Sequence, residues 1–151
     1  MKILMVCLGN ICRSPMAQGV MERTIAEQAL DWTVDSAGTN GYHDGEGPDP
    51  RAVREARRHG IDISRQRSRK IRQSDLEAFD LILAMDRQNL QNLHAMCQHP
   101  SLKSRIHLLM DFAYPDQPVE VPDPYYDDRF SEALQLIQEG CRAVIRAHRP
   151  T

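Results

Sequence analysis

The segment whose residue types most clearly indicate chemistry runs from Cys7 through Arg13 to Ser14. It follows the apolar run 3–6 and precedes Pro15 and a helical pattern, so we expect it to join a strand to the amino end of a helix. Backbone N–H groups and the helix dipole stabilise anions at such a junction. A thiol there is expected to react as its thiolate, and the Arg13 guanidinium suits two phosphate oxygens. Together these groups predict attack on phosphorus.

The ten-residue string at 6–15, Val-Cys-Leu-Gly-Asn-Ile-Cys-Arg-Ser-Pro, resembles the low-molecular-weight protein tyrosine phosphatases. A Cys-x5-Arg pair alone is weak evidence, but the full string directly after a first strand is specific. The resemblance continues through the segments 34–39, 58–61, 79–86 and 123–126. It implies hydrolysis of phosphotyrosine in proteins, and of small aryl phosphates, through a phosphocysteine on Cys7. Such chemistry needs no metal and no other cofactor, because the loop and Arg13 stabilise the transferred charge.

Cleavage of a phosphate ester also needs an acid for the leaving oxygen. The stretch 111–128 contains four prolines, which predicts a loop without regular structure. The residues alone leave six acids of this stretch open as candidates: Asp111, Asp116, Glu120, Asp123, Asp127 and Asp128. The resemblance selects Asp123, which precedes Pro124 as the family's acid precedes a proline. Asp123 would first protonate the leaving oxygen and then deprotonate the attacking water.

Further site residues follow from the loop and from the resemblance. The predicted substrate-binding set is Leu8, Gly9, Asn10, Ile11, Cys12, Ser14, Tyr42, Tyr125 and Tyr126. Gly9 leaves room for the backbone to turn, and Leu8, Ile11 and the tyrosines would wall the space for a flat ring. The resemblance implies that Asn10 braces the loop. Ser14 is predicted to cap the helix and could also donate its hydroxyl to the thiolate, as the resemblance implies.

The same resemblance assigns Asp49, His59 and Asp86 to supporting the loop from behind. Some relatives carry a histidine near position 65, where this chain has Arg65. That difference leaves the predicted nucleophile and acid unchanged.

Cys12 is expected to protect the nucleophile from oxidation. An exposed thiolate is oxidised readily to a sulfenic acid, and a nearby thiol can condense with that species to a disulfide. Cys12 lies five residues after Cys7 in the same tight loop. The alternative is that Cys12 is only a small packing residue.

Length and composition predict one domain over residues 1–151. The formal net charge of −2 disfavours binding to nucleic acid or to an anionic membrane surface, and no apolar run is long enough to span a membrane. The first strand has no export signal before it, so a reducing cytoplasm and free thiols are expected for the four cysteines. We expect tyrosine-phosphorylated proteins as substrates, a tyrosine kinase as a candidate partner, and a monomer or weak dimer.

The remaining pattern predicts an α/β fold around a parallel sheet. Strands are predicted at 2–6, 32–37, 79–85 and 106–109, and helices at 15–29, 50–59, 87–96 and from 130 onward, with a capping box at 74–77. The last helix carries an apolar stripe made of Phe130, Ala133, Leu134, Ile137, Cys141, Val144 and Ile145. The resemblance implies a three-layer sandwich with a four-stranded parallel sheet and helices on both faces.

Three rival functions and one charged segment stay open. Arsenate reductases share the loop but need relay cysteines, one of them at the end of the third strand, where this chain has 84–86 without cysteine. Phosphoarginine phosphatases tend to carry threonine at the position of Ile11. A phosphotyrosine-binding module would not need both Cys7 and Asp123.

The segment 51–72 holds nine Lys or Arg against two acids and is either a solvated face or a docking surface for an acidic partner.

Overall fold

The structure is a computed structural model that describes residues 1–150. Its strands are β1 (Lys2–Cys7), β2 (Thr33–Gly38), β3 (Leu81–Ala84) and β4 (Ile106–Leu108). Its α-helices are α1 (Arg13–Glu27), α2 (Pro50–Arg58), α3 (Gln73–Ala78), α4 (Arg87–Met96), α5 (Pro124–Asp127) and α6 (Phe130–His148). The strands pair in parallel in the order β2-β1-β3-β4, which confirms the predicted α/β class with a four-stranded parallel sheet.

Both faces of the sheet are covered, so the central strand β1 is apolar from residue 3 onward and β3 is apolar throughout. Ile3, Met5 and Leu83 face the layer of α1, α2 and α6, whereas Leu4 and Val6 face the layer of α3 and α4. All five side chains have no exposed surface. The alternation of side chains along a strand therefore builds one core on each side of the sheet, and the predicted three-layer sandwich is confirmed.

The sheet order places the end of β1 at the centre of the molecule. The chain leaves β1 toward β2 on one side and later returns to β3 on the other, so β1 is the point where the strand order reverses. Ligands of open α/β sheets bind in the crevice at such a point. Cys7, the last residue of β1, pairs in register with Gly38 of β2. A Cβ on Gly38 would lie 2.9 Å from the carbonyl oxygen of Leu8, so glycine is required beside this loop.

Most predicted helices lie where the sequence placed them. The predicted apolar stripe of α6 is fully buried, and α2 ends before Gly60, whose φ of 78° suits glycine. The prediction that 111–128 contains no regular element was wrong at its end, where Asp123 caps the short helix α5. Between residues 1 and 150, no helix has the length and apolar character that a membrane span requires.

Two predicted caps were wrong, because the side chains have other partners. α1 begins at Arg13 with Cys12 at the N-cap position, so Ser14 lies inside the first turn and does not cap it. Its hydroxyl contacts Asn10 and Cys7 instead. In α3, the carboxylate of Asp75 accepts the N–H of Arg72 at 2.8 Å, which places the cap two residues before the predicted one.

Candidate active site

Residues 8–12, the anion loop, connect β1 to α1 and are held from within by Asn10. Asn10 has a φ of 57°, a left-handed conformation that asparagine tolerates better than most residues. Its amide nitrogen donates to the hydroxyls of Ser14 at 2.7 Å and Ser36 at 3.0 Å, and its side-chain oxygen accepts the N–H of Arg69 at 3.0 Å. Asn10 thus ties the anion loop to α1, β2 and the segment before α3.

The thiol of Cys7 is buried, with 3% of its surface exposed, and faces two hydrogen-bond donors. Its sulfur lies 3.3 Å from the backbone nitrogen of Asn10 and 3.0 Å from the hydroxyl of Ser14. Because the Ser14 oxygen accepts a hydrogen bond from Asn10, its own proton is free to point at the sulfur. This environment suits a negatively charged sulfur.

Arg13 is held almost completely buried at the start of α1, with 3% exposed. Its Nη1 donates to Asp86 at 2.6 Å and to the carbonyl of Val121 at 3.2 Å, and its Nη2 lies 3.6 Å from Asp123. Burial lowers the pKa of Arg13, but the nearby Cys7 and the hydrogen-bonded Asp86 raise it by more, so its net shift is upward. The guanidinium is therefore a fixed positive charge between the anion loop and the carboxylate of Asp123.

The predicted residues meet in one cavity of about 350 Å³. Ten of them line it: Cys7, Leu8, Gly9, Ile11, Cys12, Arg13, Tyr42, Asp123, Tyr125 and Tyr126. Asn10, within the anion loop, and Ser14, in the first turn of α1, are buried and are not part of the cavity wall. Asn40 and His43 also line the cavity, although no sequence pattern had indicated them.

Aromatic rings surround the mouth of this cavity. Tyr42 and Tyr126 are 85% and 81% exposed, and Tyr125 is 42% exposed. The rings of Tyr125 and Tyr126 pack edge to face with their centres 5.0 Å apart, as do those of Tyr42 and His43. Aromatic side chains from two segments of the cavity lining suit a planar substrate ring.

The acid candidate Asp123 lies at the N-cap of α5, where one carboxylate oxygen accepts the N–H of Tyr125 at 3.1 Å. About a third of its side chain is exposed, so it can exchange protons with water. None of the other five acids of 111–128 lines the cavity. The structure therefore brings only Asp123 of that set to the cavity wall.

Support of the anion loop comes from two of the three residues implied by the resemblance. Asp86 binds Arg13, and Asp49 donates its backbone N–H to the carbonyl of Ile11 at 2.9 Å. His59 lies beyond the opposite end of α2 beside Glu55, so its assignment to loop support was wrong. Arg65 is exposed, and the loop is instead held nearby by Ser68, whose hydroxyl donates to the carbonyl of Gly9 at 3.1 Å.

All four cysteines are free thiols. Cys12 is buried beside Asp49, and burial followed by this negative charge raises the pKa of its thiol well above the usual range. Cys141 is buried within α6, and burial raises its pKa to about 12. Cys97 follows α4, and neither it nor Cys141 lines the cavity. The cavity therefore holds two cysteines, Cys7 and Cys12. Over residues 1–150 we find no group of three His, Cys, Asp or Glu that could hold a metal ion.

The geometry agrees with the comparison of the whole chain with known proteins. The family model of low molecular weight phosphotyrosine protein phosphatases matches residues 2–149. The chain belongs to this family. It is 39% identical over 145 residues to the low molecular weight protein-tyrosine-phosphatase YfkJ of Bacillus subtilis, covering 95% of this chain and 92% of that protein. It is 40% identical over 152 residues to the human low molecular weight phosphotyrosine protein phosphatase, covering 97% and 95%.

Solved structures of the family superpose closely. The crystal structure of YfkJ matches with a TM-score of 0.92 at 38% identity, over 97% of this chain and 93% of the other. That of a Drosophila arginine phosphatase matches with a TM-score of 0.92 at 33% identity, over 99% of each chain. The protein is accordingly an enzyme, a low molecular weight protein-tyrosine-phosphatase.

Proposed function

We propose that this phosphatase hydrolyses phosphotyrosine in proteins, and small aryl phosphates, through a phosphocysteine formed on Cys7. The observation that carries the proposal is the cavity itself. It joins a buried thiol facing two hydrogen-bond donors, a buried guanidinium and one carboxylic acid. These are the nucleophile, the charge stabiliser and the proton donor that cleavage of a phosphate ester requires.

In the first step, the Cys7 thiolate attacks phosphorus and the bond between phosphorus and the tyrosine oxygen breaks. The carboxylic acid of Asp123 gives its proton to that oxygen, so tyrosine leaves as a neutral phenol. Arg13 and the N–H groups at the start of α1 bind the equatorial phosphate oxygens.

In the second step, a water molecule attacks the phosphocysteine. The Asp123 carboxylate takes a proton from this water, the sulfur–phosphorus bond breaks, and inorganic phosphate is released. Cys7 returns to the thiolate, which Ser14 and the N–H of Asn10 stabilise as a leaving group. Asp123 thus ends the cycle protonated and ready for the next substrate.

The preference for an aromatic substrate rests on the cavity walls. Leu8, Ile11 and three tyrosines present apolar and aromatic surface to the group that carries the phosphate. Burial of a phenyl ring against such walls contributes about 1.5–3 kcal/mol that a phosphoserine methylene cannot match. Phosphoarginine would place a charged guanidinium against the apolar Ile11, and this contact is less favourable than that of a phenyl ring.

The decisive measurement is phosphate release from matched peptides that carry phosphotyrosine, phosphoserine or phosphoarginine at one position, with arsenate reduction assayed in parallel. We expect the highest kcat/KM for phosphotyrosine and no release by Cys7→Ser. Faster turnover of phosphoarginine, or reduction of arsenate, would contradict the proposal. Binding without release by the wild type would indicate a phosphotyrosine-binding module instead. A tyrosine kinase partner and the oligomeric state stay predictions.

A further inference from the structure

Arg51, in the first turn of α2, is linked to the anion loop through Asp49. Its Nε and Nη2 atoms donate to the two carboxylate oxygens of Asp49 at 3.1 and 3.0 Å. Asp49 in turn donates its backbone N–H to the carbonyl of Ile11 at 2.9 Å. Only 10% of the Asp49 side chain is exposed, so this pair is shielded from water on one side. The guanidinium is therefore fixed relative to the loop that follows Cys7.

The other edge of the same guanidinium binds the segment that contains the acid. Nη1 forms an ion pair with Asp128, and Nη2 also donates to the carbonyl of Tyr125 at 3.2 Å. The guanidinium carbon lies 5.5 Å from the ring centre of Tyr125 and 4.9 Å from that of Phe130, within the range of cation–π contacts. One side chain thus contacts both ends of α5 and the start of α6.

α5 depends on such contacts because it is too short to be stable alone. Helix nucleation is costly, and a four-residue helix gains too few hydrogen bonds to offset that cost. Its N-cap is Asp123, and its C-cap is Asp128, which has a left-handed φ of 60°. A displacement of α5 would therefore move the Asp123 carboxylate and the Tyr125 ring together.

We propose that Arg51 is the positioning residue for the leaving-group acid. It holds α5 against the anion loop, so that Asp123 and the Tyr125 ring keep their places on the cavity wall. This inference rests on the proposed function, because it takes Asp123 as the acid. Arg51 touches neither Cys7 nor Arg13, so its effect on catalysis passes through Asp123 and Tyr125.

Arg51→Met tests this role, since it keeps the apolar stem and removes every side-chain hydrogen bond, while the backbone N–H of residue 51 can still donate to Asp49. Arg51→Lys keeps the charge, but a single ammonium cannot bind Asp49, Asp128 and the Tyr125 carbonyl together. Arg54→Met is the matched control, because Arg54 is an exposed arginine in the next turn of α2. Each variant is assayed with phenyl phosphate, whose leaving oxygen needs a proton, and with p-nitrophenyl phosphate, whose leaving oxygen needs it far less.

We expect Arg51→Met to lower kcat/KM, which reports the steps up to departure of the leaving group, about 10–100-fold for phenyl phosphate and less than about threefold for p-nitrophenyl phosphate, since in those steps it impairs only proton donation. Arg51→Lys is expected to fall between wild type and Arg51→Met, and Arg54→Met to match wild type. In an Asp123→Asn background, Arg51→Met is expected to add less than about threefold, because the group it positions is already lost.

If Arg51→Met lost equal activity toward both substrates, Arg51 would be only structural and the inference would be overturned. The inference would also be overturned if Arg51→Met lowered activity in the Asp123→Asn background by as large a factor as it does in the wild type. Thermal unfolding of each variant identifies a folding defect, and Arg51→Lys supplies the same comparison if Arg51→Met does not fold. If Asp123→Asn itself affects both substrates equally, the acid assignment in the proposed function falls together with this inference. If the loss depends on the leaving group in Asp123→Asn but not in Arg51→Met, the proposed function stands and this inference fails.

Discussion

Asp86 binds the guanidinium of Arg13, with Nη1 2.6 Å from a carboxylate oxygen. Asp86 is itself fixed as the N-cap of α4, where its other oxygen accepts the N–H of Asn89 at 2.8 Å. Asn89 returns a bond by accepting the N–H of Asp86 at 3.2 Å. Because Asp86 and the Val121 carbonyl bind Nη1, the proposed mechanism uses the Nε and Nη2 edge of Arg13 for the phosphate, and Nη2 also lies 3.6 Å from Asp123.

Arg13→Lys is therefore expected to reduce turnover to less than about a tenth of wild type, although the charge is kept, since contacts to a transferring phosphoryl group are worth several kcal/mol. A lysine ammonium cannot stay on Asp86 and also span two phosphate oxygens. Initial rates with p-nitrophenyl phosphate check this, and Arg54→Lys is the control. Retention of more than a tenth of the activity would show that a point charge is sufficient.

Asp123→Asn is expected to lower kcat/KM, which reports the steps up to departure of the leaving group, about 10²–10⁴-fold for a phosphotyrosine peptide. The loss is expected to shrink for an aryl phosphate with an acidic leaving oxygen, because protonation then matters less. Asp127→Asn, on the same short helix but outside the cavity, is the matched control. A loss that does not depend on the leaving group would remove Asp123 from the acid role.

The parts of the site that the sequence predicted are those encoded locally. Cys7 and Arg13 are positioned by a strand, a loop and a helix that follow one another directly, so their spacing in the sequence is enough to predict that they lie close together. The alternation of elements was equally sufficient for the α/β fold around a parallel sheet, whereas the helices on both faces were implied by the resemblance. Asp123 was different, because its stretch offered six acids, and only the resemblance to a family separated them.

The parts that the sequence missed depend on contacts between distant segments. Arg51 lay within a run of nine cations, and nothing in that run distinguished the one that reaches 77 residues along the chain to Asp128. Ser14 was a reasonable cap by type and position, but Asn10 competes for its hydroxyl. His43 lines the cavity because the turn at 41–45 folds over Gly9, where a Cβ would come within 3.2 Å of the ring.

Asp75→Asn is expected to lower the free energy of unfolding by about 2 kcal/mol at pH 7, since it weakens hydrogen bonds to a charged partner. Asp75 is buried and binds Arg69 and the N–H of Arg72. Burial raises the pKa of Asp75, but these hydrogen bonds lower it by more, so the net shift is downward. Because the folded-state pKa is depressed, the stabilisation is present above the unfolded value of about 3.9 and is lost as the pH falls through the folded value.

Urea unfolding of wild type and Asp75→Asn between pH 7 and pH 3 checks this pH dependence. The difference between the two proteins is expected to be constant down to about pH 5 and to shrink below about pH 4. Glu77→Gln, an exposed neighbour on α3, is the control. A difference that stays constant to pH 3 would show that the Asp75 charge does not contribute.

Peroxide is expected to inactivate the enzyme reversibly through a Cys7–Cys12 disulfide. Peroxide oxidises the Cys7 thiolate to a sulfenic acid and is reduced to water. The Cys12 thiol then attacks that sulfur, water leaves, and a disulfide forms, provided that the two Cα atoms lie within about 7 Å. Because burial raises the pKa of Cys12, its thiolate is scarce, and the second step is expected to be slower than oxidation and to accelerate with rising pH.

Mass spectrometry of the oxidised protein is expected to show a loss of about two hydrogens, and a reductant is expected to restore activity. Cys12→Ser is expected to keep measurable turnover but to recover poorly, because its sulfenic acid continues to irreversible forms. Cys97→Ser, at a cysteine outside the cavity, is the control and is expected to recover as wild type does. If Cys12→Ser recovered as fully as Cys97→Ser, Cys12 would be a packing residue with no protective role.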